Sequence, residues 1–171
     1  MKFSDIKKHH KSSYHITVFW KDLSRQLQSY QKEYDLDFSP NFQRGYVWTT
    51  SQQISYVEYK LAGGTGSDQI YFNCPNWLGS VEMDDQMVIV DGKQRIDAVL
   101  RFLDNQIPAF GCLYQDFEDR LRGYDTLFTF NINDLVNPKD VYQWYLQMNS
   151  GGTIHTKQEL DKVRKLISLH P

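Results

Sequence analysis

"QMVIVDGKQRIDAVLRFL", residues 86–103, decides the fold. Met87, Val88, Ile89 and Val90 form a short apolar run that breaks at Asp91-Gly92, and Ile96, Val99, Leu100 and Leu103 then recur at helical spacing. A strand therefore passes into a helix through a turn that carries Asp91, Gly92, Lys93, Gln94 and Arg95. The first N–H groups of a helix have no intrahelical acceptor and carry partial positive charge, which suits an anion such as phosphate. Gly92 permits a sharp turn and close approach of a ligand. Lys93 and Arg95 would add a point charge and a planar fork of donors, and backbone N–H groups at Gly92 and Gln94 would assist. Cations at this end oppose the helix dipole, so a negative group should offset them. Asp91 could do so by a salt bridge, or hold a Mg²⁺ that bridges phosphate oxygens. The structural alternative is an N-capping Asp91 followed by exposed basic residues.

Elements of both kinds surround this turn. Leu23, Leu27, Tyr30 and Tyr34 predict a helix over about 19–34, and Pro40 keeps the following "DLDFSPNFQRGYVW" extended. Thr50 and Gln53 form a predicted capping box for a helix through Ile54, Val57 and Leu61 that ends at "GGTG". "IYFN" and "LFTFNI" read as further strands. Asn137-Pro138 caps a helix through "KDVYQWYLQM", and Thr156 with Glu159 caps a last one. The expected fold is mixed α/β, a single domain over 17–171 after a basic N-terminal tail or edge segment at 1–16.

Composition bounds the function. The chain has 171 residues, 40% hydrophobic and 15% aromatic, enough for a core. No window approaches the roughly 20 uncharged apolar residues of a membrane span, which predicts a soluble cytoplasmic protein without a membrane partner. Cys74 and Cys112 have no metal-ligand spacing and read as reduced packing residues. A formal net charge of −2 disfavours non-specific coating of nucleic acid, yet residues 1–60 carry 9 Lys+Arg against 6 Asp+Glu, and 82–140 carry 6 against 12.

Two more stretches bear on chemistry. "PNFQRGYVW" sets Gln43 and Arg44 among aromatics, and "QMNSGGT" sets Asn149 before Ser150, Gly151 and Gly152, a cluster that offers open backbone N–H groups or is simply a loop. In this order, "FQRGYVW", "VDGKQRIDAVLRFL" and "MNSGGT" resemble the three signature blocks of the ParB/sulfiredoxin-like domain at the N-terminus of GmrSD-type restriction proteins, marked by strand, D-G-Q-Q-R and helix. The resemblance runs from about residue 17 to residue 160. It implies a compact α/β domain with a small mixed sheet flanked by helices, binding and often hydrolysis of nucleoside triphosphates with Mg²⁺, and a role in defence against modified or foreign DNA.

The chain departs from that pattern in places. Lys93 stands where the family has its first Gln, and Ile96-Asp97-Ala98 replaces the small hydroxylated residues after the Arg. The reactive Cys of sulfiredoxins would fall at Lys93, which disfavours redox repair of peroxiredoxins. His9, His10, His15, His155 and His170 lack metal-binding spacing, so the His-Asn-His nuclease half is expected to be absent. The leading expectation is a nucleotide-binding domain, with or without Mg²⁺-dependent turnover. In it Gln43, Arg44, Gly92, Lys93, Gln94, Arg95, Asn149, Gly151 and Gly152 bind the phosphates, and Asp91 positions Mg²⁺ or the attacking water. Asp97 is a second carboxylate candidate. Tyr46 or Trp48 could stack on a base, with core packing the expected role of at least one of them. The alternative is a non-catalytic DNA- or protein-binding module that acts with a nuclease or host protein in trans, using Lys2, Lys7, Lys8 and Lys11 on phosphates.

Overall fold

Side-chain alternation along four strands assigns each face of one sheet to its own layer of helices. The computed structural model describes residues 14–43, 45–77, 86–121, 126–149 and 157–169. Strands β1 (Tyr14–Phe19), β2 (Gln69–Asn73), β3 (Val88–Asp91) and β4 (Leu127–Asn133) lie in the order β1-β4-β2-β3. β2 runs parallel to β4, and the other neighbouring pairs are antiparallel. The sheet is mixed, as expected.

Ile70, Phe72, Ile89, Phe128, Phe130 and Ile132 point to the larger core. Helices α1 (Leu23–Tyr34), α2 (Thr50–Leu61) and α3 (Lys93–Leu103) fill it with Leu23, Leu27, Tyr30, Val57, Ile96, Val99 and Phe102. Val90 and Tyr71 point the other way. There, Val141, Tyr142, Trp144 and Tyr145 of α4 (Pro138–Asn149) and Val163 of α5 (Lys157–Leu169) close a smaller core with Phe42. Each fully buried Leu, Ile or Phe contributes about 1.5 to 3 kcal/mol, so the larger layer carries most of the apolar stabilisation.

The strand-to-helix junction falls where the sequence puts it. A β-bulge sets Tyr71 opposite Asp91 while Phe72 stays opposite Ile89. Gly92 follows with φ +103°, and an added Cβ there would lie 2.4 Å from Ile70 Cδ1. The close approach that requires glycine is therefore made by a core side chain. Residues 37–43 cover the outer edge of β3: Asp37 N donates to Met87 O at 2.8 Å, and Ile89 N donates to Asp37 O at 3.1 Å. That contact explains how an edge strand of such apolar sequence avoids exposing its backbone.

Several local expectations need correction. The first helix is preceded by a 3₁₀ turn at Trp20–Asp22 and begins at Leu23, because β1 occupies the chain through Phe19. The assumed boundary at residue 17 thus falls inside a strand. The capping box of α2 is Thr49 with Gln52: Thr49 Oγ1 accepts from Gln52 N at 3.2 Å, and Gln52 Oε1 accepts from Thr49 N at 2.8 Å. Gln53 is buried and used elsewhere. Cys74 is buried as expected, but Cys112 is exposed, beside a turn formed by Phe110 and Gly111 at positive φ. The Asn137-Pro138 start of α4 is as expected, Lys139 N donating to Asn137 Oδ1 at 2.9 Å. Thr156 lies outside the described residues.

Gly92→Ala should combine a left-handed backbone penalty of about 1 to 2 kcal/mol with overpacking against Ile70 of about 1 to 3 kcal/mol. Gly111→Ala, at φ +78° with nothing within 4 Å, carries only the first. Urea unfolding should therefore show the Gly92 variant to be markedly less stable than the Gly111 variant. Equal losses would mean that contact with Ile70 is of no consequence.

Candidate functional site

The turn 91–95 brings together most of its own charged side chains, but each has an internal partner. The N–H groups of Lys93 and Gln94 head α3 without intrahelical acceptors, while Arg95 N and Ile96 N both donate to Gly92 O at 3.0 Å. No side chain caps the helix, and Gly92 takes the N-cap position assigned to Asp91 in the structural alternative. Asp91 instead forms a close ion pair with Arg95, their side chains 35% and 15% exposed. The Arg95 charge also acts on two tyrosines. Burial pushes the Tyr56 and Tyr71 hydroxyls up, and the Arg95 charge draws both back down.

Lys93 is 5% exposed. Its Nζ donates to Ser39 Oγ at 2.9 Å and sits 4.3 Å from the centre of the Tyr46 ring. Burial lowers its pKa, while the nearby charges of Asp37 and Asp97 raise it. The ammonium is thus largely withdrawn from solvent and stabilised by the Ser39 hydroxyl, the Tyr46 ring face and the charges of Asp37 and Asp97.

Gln94 and Gln43 act as substitutes for backbone. Gln94 Oε1 accepts from Val47 N at 3.1 Å and Trp48 N at 3.2 Å, and its Nε2 donates to Gly45 O at 2.9 Å. Gln43 Nε2 donates to Val90 O at 2.6 Å and Ile89 O at 3.3 Å. The two amides tie the "FQRGYVW" block to β3 and α3, which brings the first two signature blocks together. Arg44, Gly151 and Gly152 lie outside the described residues. Asn149 is the last residue of α4. Trp48 takes the expected packing role, beside the larger core with its ring 5.4 Å from that of Tyr56, whereas Tyr46 is 58% exposed.

Asp97 belongs to a network between α2 and α3 that sequence reasoning did not assemble. Gln53 Nε2 donates to Asp97 Oδ2 at 2.7 Å, and Gln53 Oε1 accepts a close hydrogen bond from Arg101. Burial pushes the Asp97 carboxyl up, with Arg101, Gln53 and Lys93 opposing that shift. The signal was present in the spacing: Asp97 and Arg101 stand at i and i+4 on α3, facing the helix that carries Gln53.

Among the described residues, no group of three or more His, Cys, Asp or Glu side chains converges as a metal cage. Asp91 offers a single carboxylate, which fits a Mg²⁺ that arrives with phosphate oxygens and water as its other ligands. Among the same residues, no helix is long and apolar enough to cross a membrane.

A family model described as the GmrSD restriction endonuclease N-terminal domain matches residues 21–124. That span takes in α1, α2, β2, β3 and α3, and leaves β1, β4, α4 and α5 outside it. No curated protein and no solved structure matches the chain.

Two outcomes follow from these contacts. Gln94→Ala should cost about 1 kcal/mol and speed amide hydrogen exchange at Val47 and Trp48 ahead of the rest of the chain. Unchanged exchange there would mean that Gln94 does not hold the segment. A carboxyl whose pKa is raised by folding favours the folded state at acid pH, and that contribution is lost as pH rises through the folded value. The stability of Asp97→Asn relative to the parent should accordingly grow as pH rises above the ordinary carboxyl value of 3.8. A falling difference would mean that the Arg101 charge outweighs burial.

Proposed function

We propose, from the premise that this chain belongs to the GmrSD restriction endonuclease N-terminal domain family, that it serves a type IV restriction-related defence function by binding a nucleoside triphosphate at the start of α3. The observation that carries this reading is the Asp91–Arg95 ion pair, placed at a helix N-terminus with only Gly92 separating strand from helix. A cation in that position opposes the helix dipole and is held there by one carboxylate. A triphosphate offers more negative charge than Asp91 and can also accept from the N–H groups of Lys93 and Gln94. It would take Arg95 as a bidentate partner and release Asp91 toward solvent.

The ParB/sulfiredoxin-like arrangement and the D-G-K-Q-R version of the turn are part of this proposal. Released from Arg95, Asp91 is the residue that would hold Mg²⁺ or orient a water. The ion, when bound, supplies charge neutralisation at the phosphates. Lys93 stabilises the site through Ser39 and Tyr46, which joins the phosphate turn to the segment around "FQRGYVW". Arg44, Asn149, Gly151 and Gly152 complete the proposed phosphate set. Whether bound nucleotide is then hydrolysed depends on Asp91.

Calorimetric titration of the full chain with the four triphosphates, with and without Mg²⁺, tests the reading. Arg95→Ala should weaken binding by roughly 1.5 to 3 kcal/mol, at least about tenfold, and leave the fold intact. Asp91→Asn should abolish any Mg²⁺-dependent turnover while metal-free affinity stays the same or rises, because a carboxylate beside phosphate is repulsive. Turnover unchanged in the Asn variant would leave Asp91 as a structural partner of Arg95. Salt-sensitive DNA binding without any nucleotide binding would replace the proposal with a DNA-binding module.

A further inference from the structure

The sheet face that α4 covers is covered only in part. On its β2–β3 side Val90 is buried, while Tyr71 stays half-buried and meets Trp144 edge-on, the rings 5.8 Å apart. Toward β1 the same face carries polar side chains in cross-strand rows: Thr17, Thr129 and Gln69 in one, and His15, Asn131 and Tyr71 in the next. The second row continues across the bulge to Asp91, so the polar strip leads to the ion pair at the head of α3. Thr17, His15 and Gln69 are exposed.

Within that strip one pair is constrained. Asn131 is 4% exposed, and its Nδ2 faces three oxygens: Gln69 Oε1 at 2.8 Å, Thr129 O at 3.0 Å and Ile70 O at 3.2 Å. Those acceptors fix which end of the amide is nitrogen. The Oδ1 end therefore faces His15 Nδ1, at 2.6 Å, and an acceptor there requires Nδ1 to carry the proton. In the neutral ring the lone pair is then on Nε2, the reverse of the tautomer that free histidine prefers. An exposed ring on an edge strand adds little to stability, so this control matters chiefly for what Nε2 meets.

We propose that the polar strip holds the nucleoside half of the ligand, and that the tautomer-fixed His15 accepts an N–H of its base at Nε2. The inference rests on the triphosphate reading of the α3 turn. His15 and Asp91 stand three strand spacings apart, about 14 Å, a separation that an extended nucleoside triphosphate can bridge from base to phosphate. Thr17, Thr129 and Gln69 supply hydroxyl and amide groups along the way for sugar and base. Both His15 and Asn131 lie outside the segment that the family match covers.

Titration of the full chain and of His15→Phe with tripolyphosphate and with each nucleoside triphosphate tests the assignment. His15→Phe should lose about tenfold in affinity for the preferred triphosphate and none for tripolyphosphate, whose retained binding also reports an intact α3 turn. The ¹⁵N spectrum of the unliganded parent should show neutral His15 protonated at Nδ1. Proton on Nε2, or nucleotide affinity unaffected by His15→Phe, would overturn the inference and leave the phosphate site standing. A parent that binds neither tripolyphosphate nor any nucleotide would overturn the phosphate site, and the inference with it.

Discussion

The contact of Gly92 with Ile70 is the constraint on which the rest of this structure depends. An α-carbon without a side chain lets β3 end, the chain reverse at positive φ, and α3 begin directly against Ile70 near the start of β2. Every charged group of the turn takes its direction from that junction. Asp91 is turned by the bulge to the side of Tyr71, and Arg95 comes round one helical turn later to meet it. A β-branched or merely larger residue at 92 would push α3 off the sheet, and both signature side chains with it.

Amide side chains do in this fold what backbone does in more regular ones. Among its described residues, the segment 37–48 forms no strand or helix beyond an isolated bridge at Asp37, yet hydrogen bonds tie it to β3 and α3. Gln43 supplies donors to two β3 carbonyls, and Gln94 supplies both an acceptor and a donor to residues 45–48. Both amides are half-buried, and any backbone group they serve that folding takes out of water would cost about 1 to 3 kcal/mol without a partner. Satisfied together, they fix the loop more specifically than apolar contact would. Gln53 plays the same part between α2 and α3.

Much of the fold was legible because period and chemistry agreed. Around residues 86–103, an apolar run, a glycine and a helical stripe all gave one answer, and the Asn137-Pro138 start of α4 did likewise. Legibility failed where tertiary partners chose between equivalent local options. Thr49 with Gln52 and Thr50 with Gln53 both satisfy a capping box, and the choice was settled by Asp97 and Arg101 drawing Gln53 inward. β1 is masked in sequence by the basic stretch before it, although Ile16 and Val18 alternate with His15 and Thr17 as a strand requires. The site was legible as a set of residue types and not as a set of free groups. Sequence shows that Lys93 and Arg95 are cations, but only the fold shows that one lies under Tyr46 and the other against Asp91.

The placement of β1 has a consequence in time. Among the described residues it pairs only with β4, and the two ends of the His15–Asn131 hydrogen bond are 116 residues apart in the chain. During synthesis β1 leaves the ribosome early and must wait, unpaired, until nearly the whole sheet has been made. Closing so long a loop is entropically costly and rewards the chain late, so this pairing should follow assembly of the β2–β3–α3 unit. Until then, the β4 edge that will receive β1 stands open as a template for another strand. A short first strand with a polar outer row of His15 and Thr17 keeps that waiting segment soluble, and makes its docking the step that finishes the sheet.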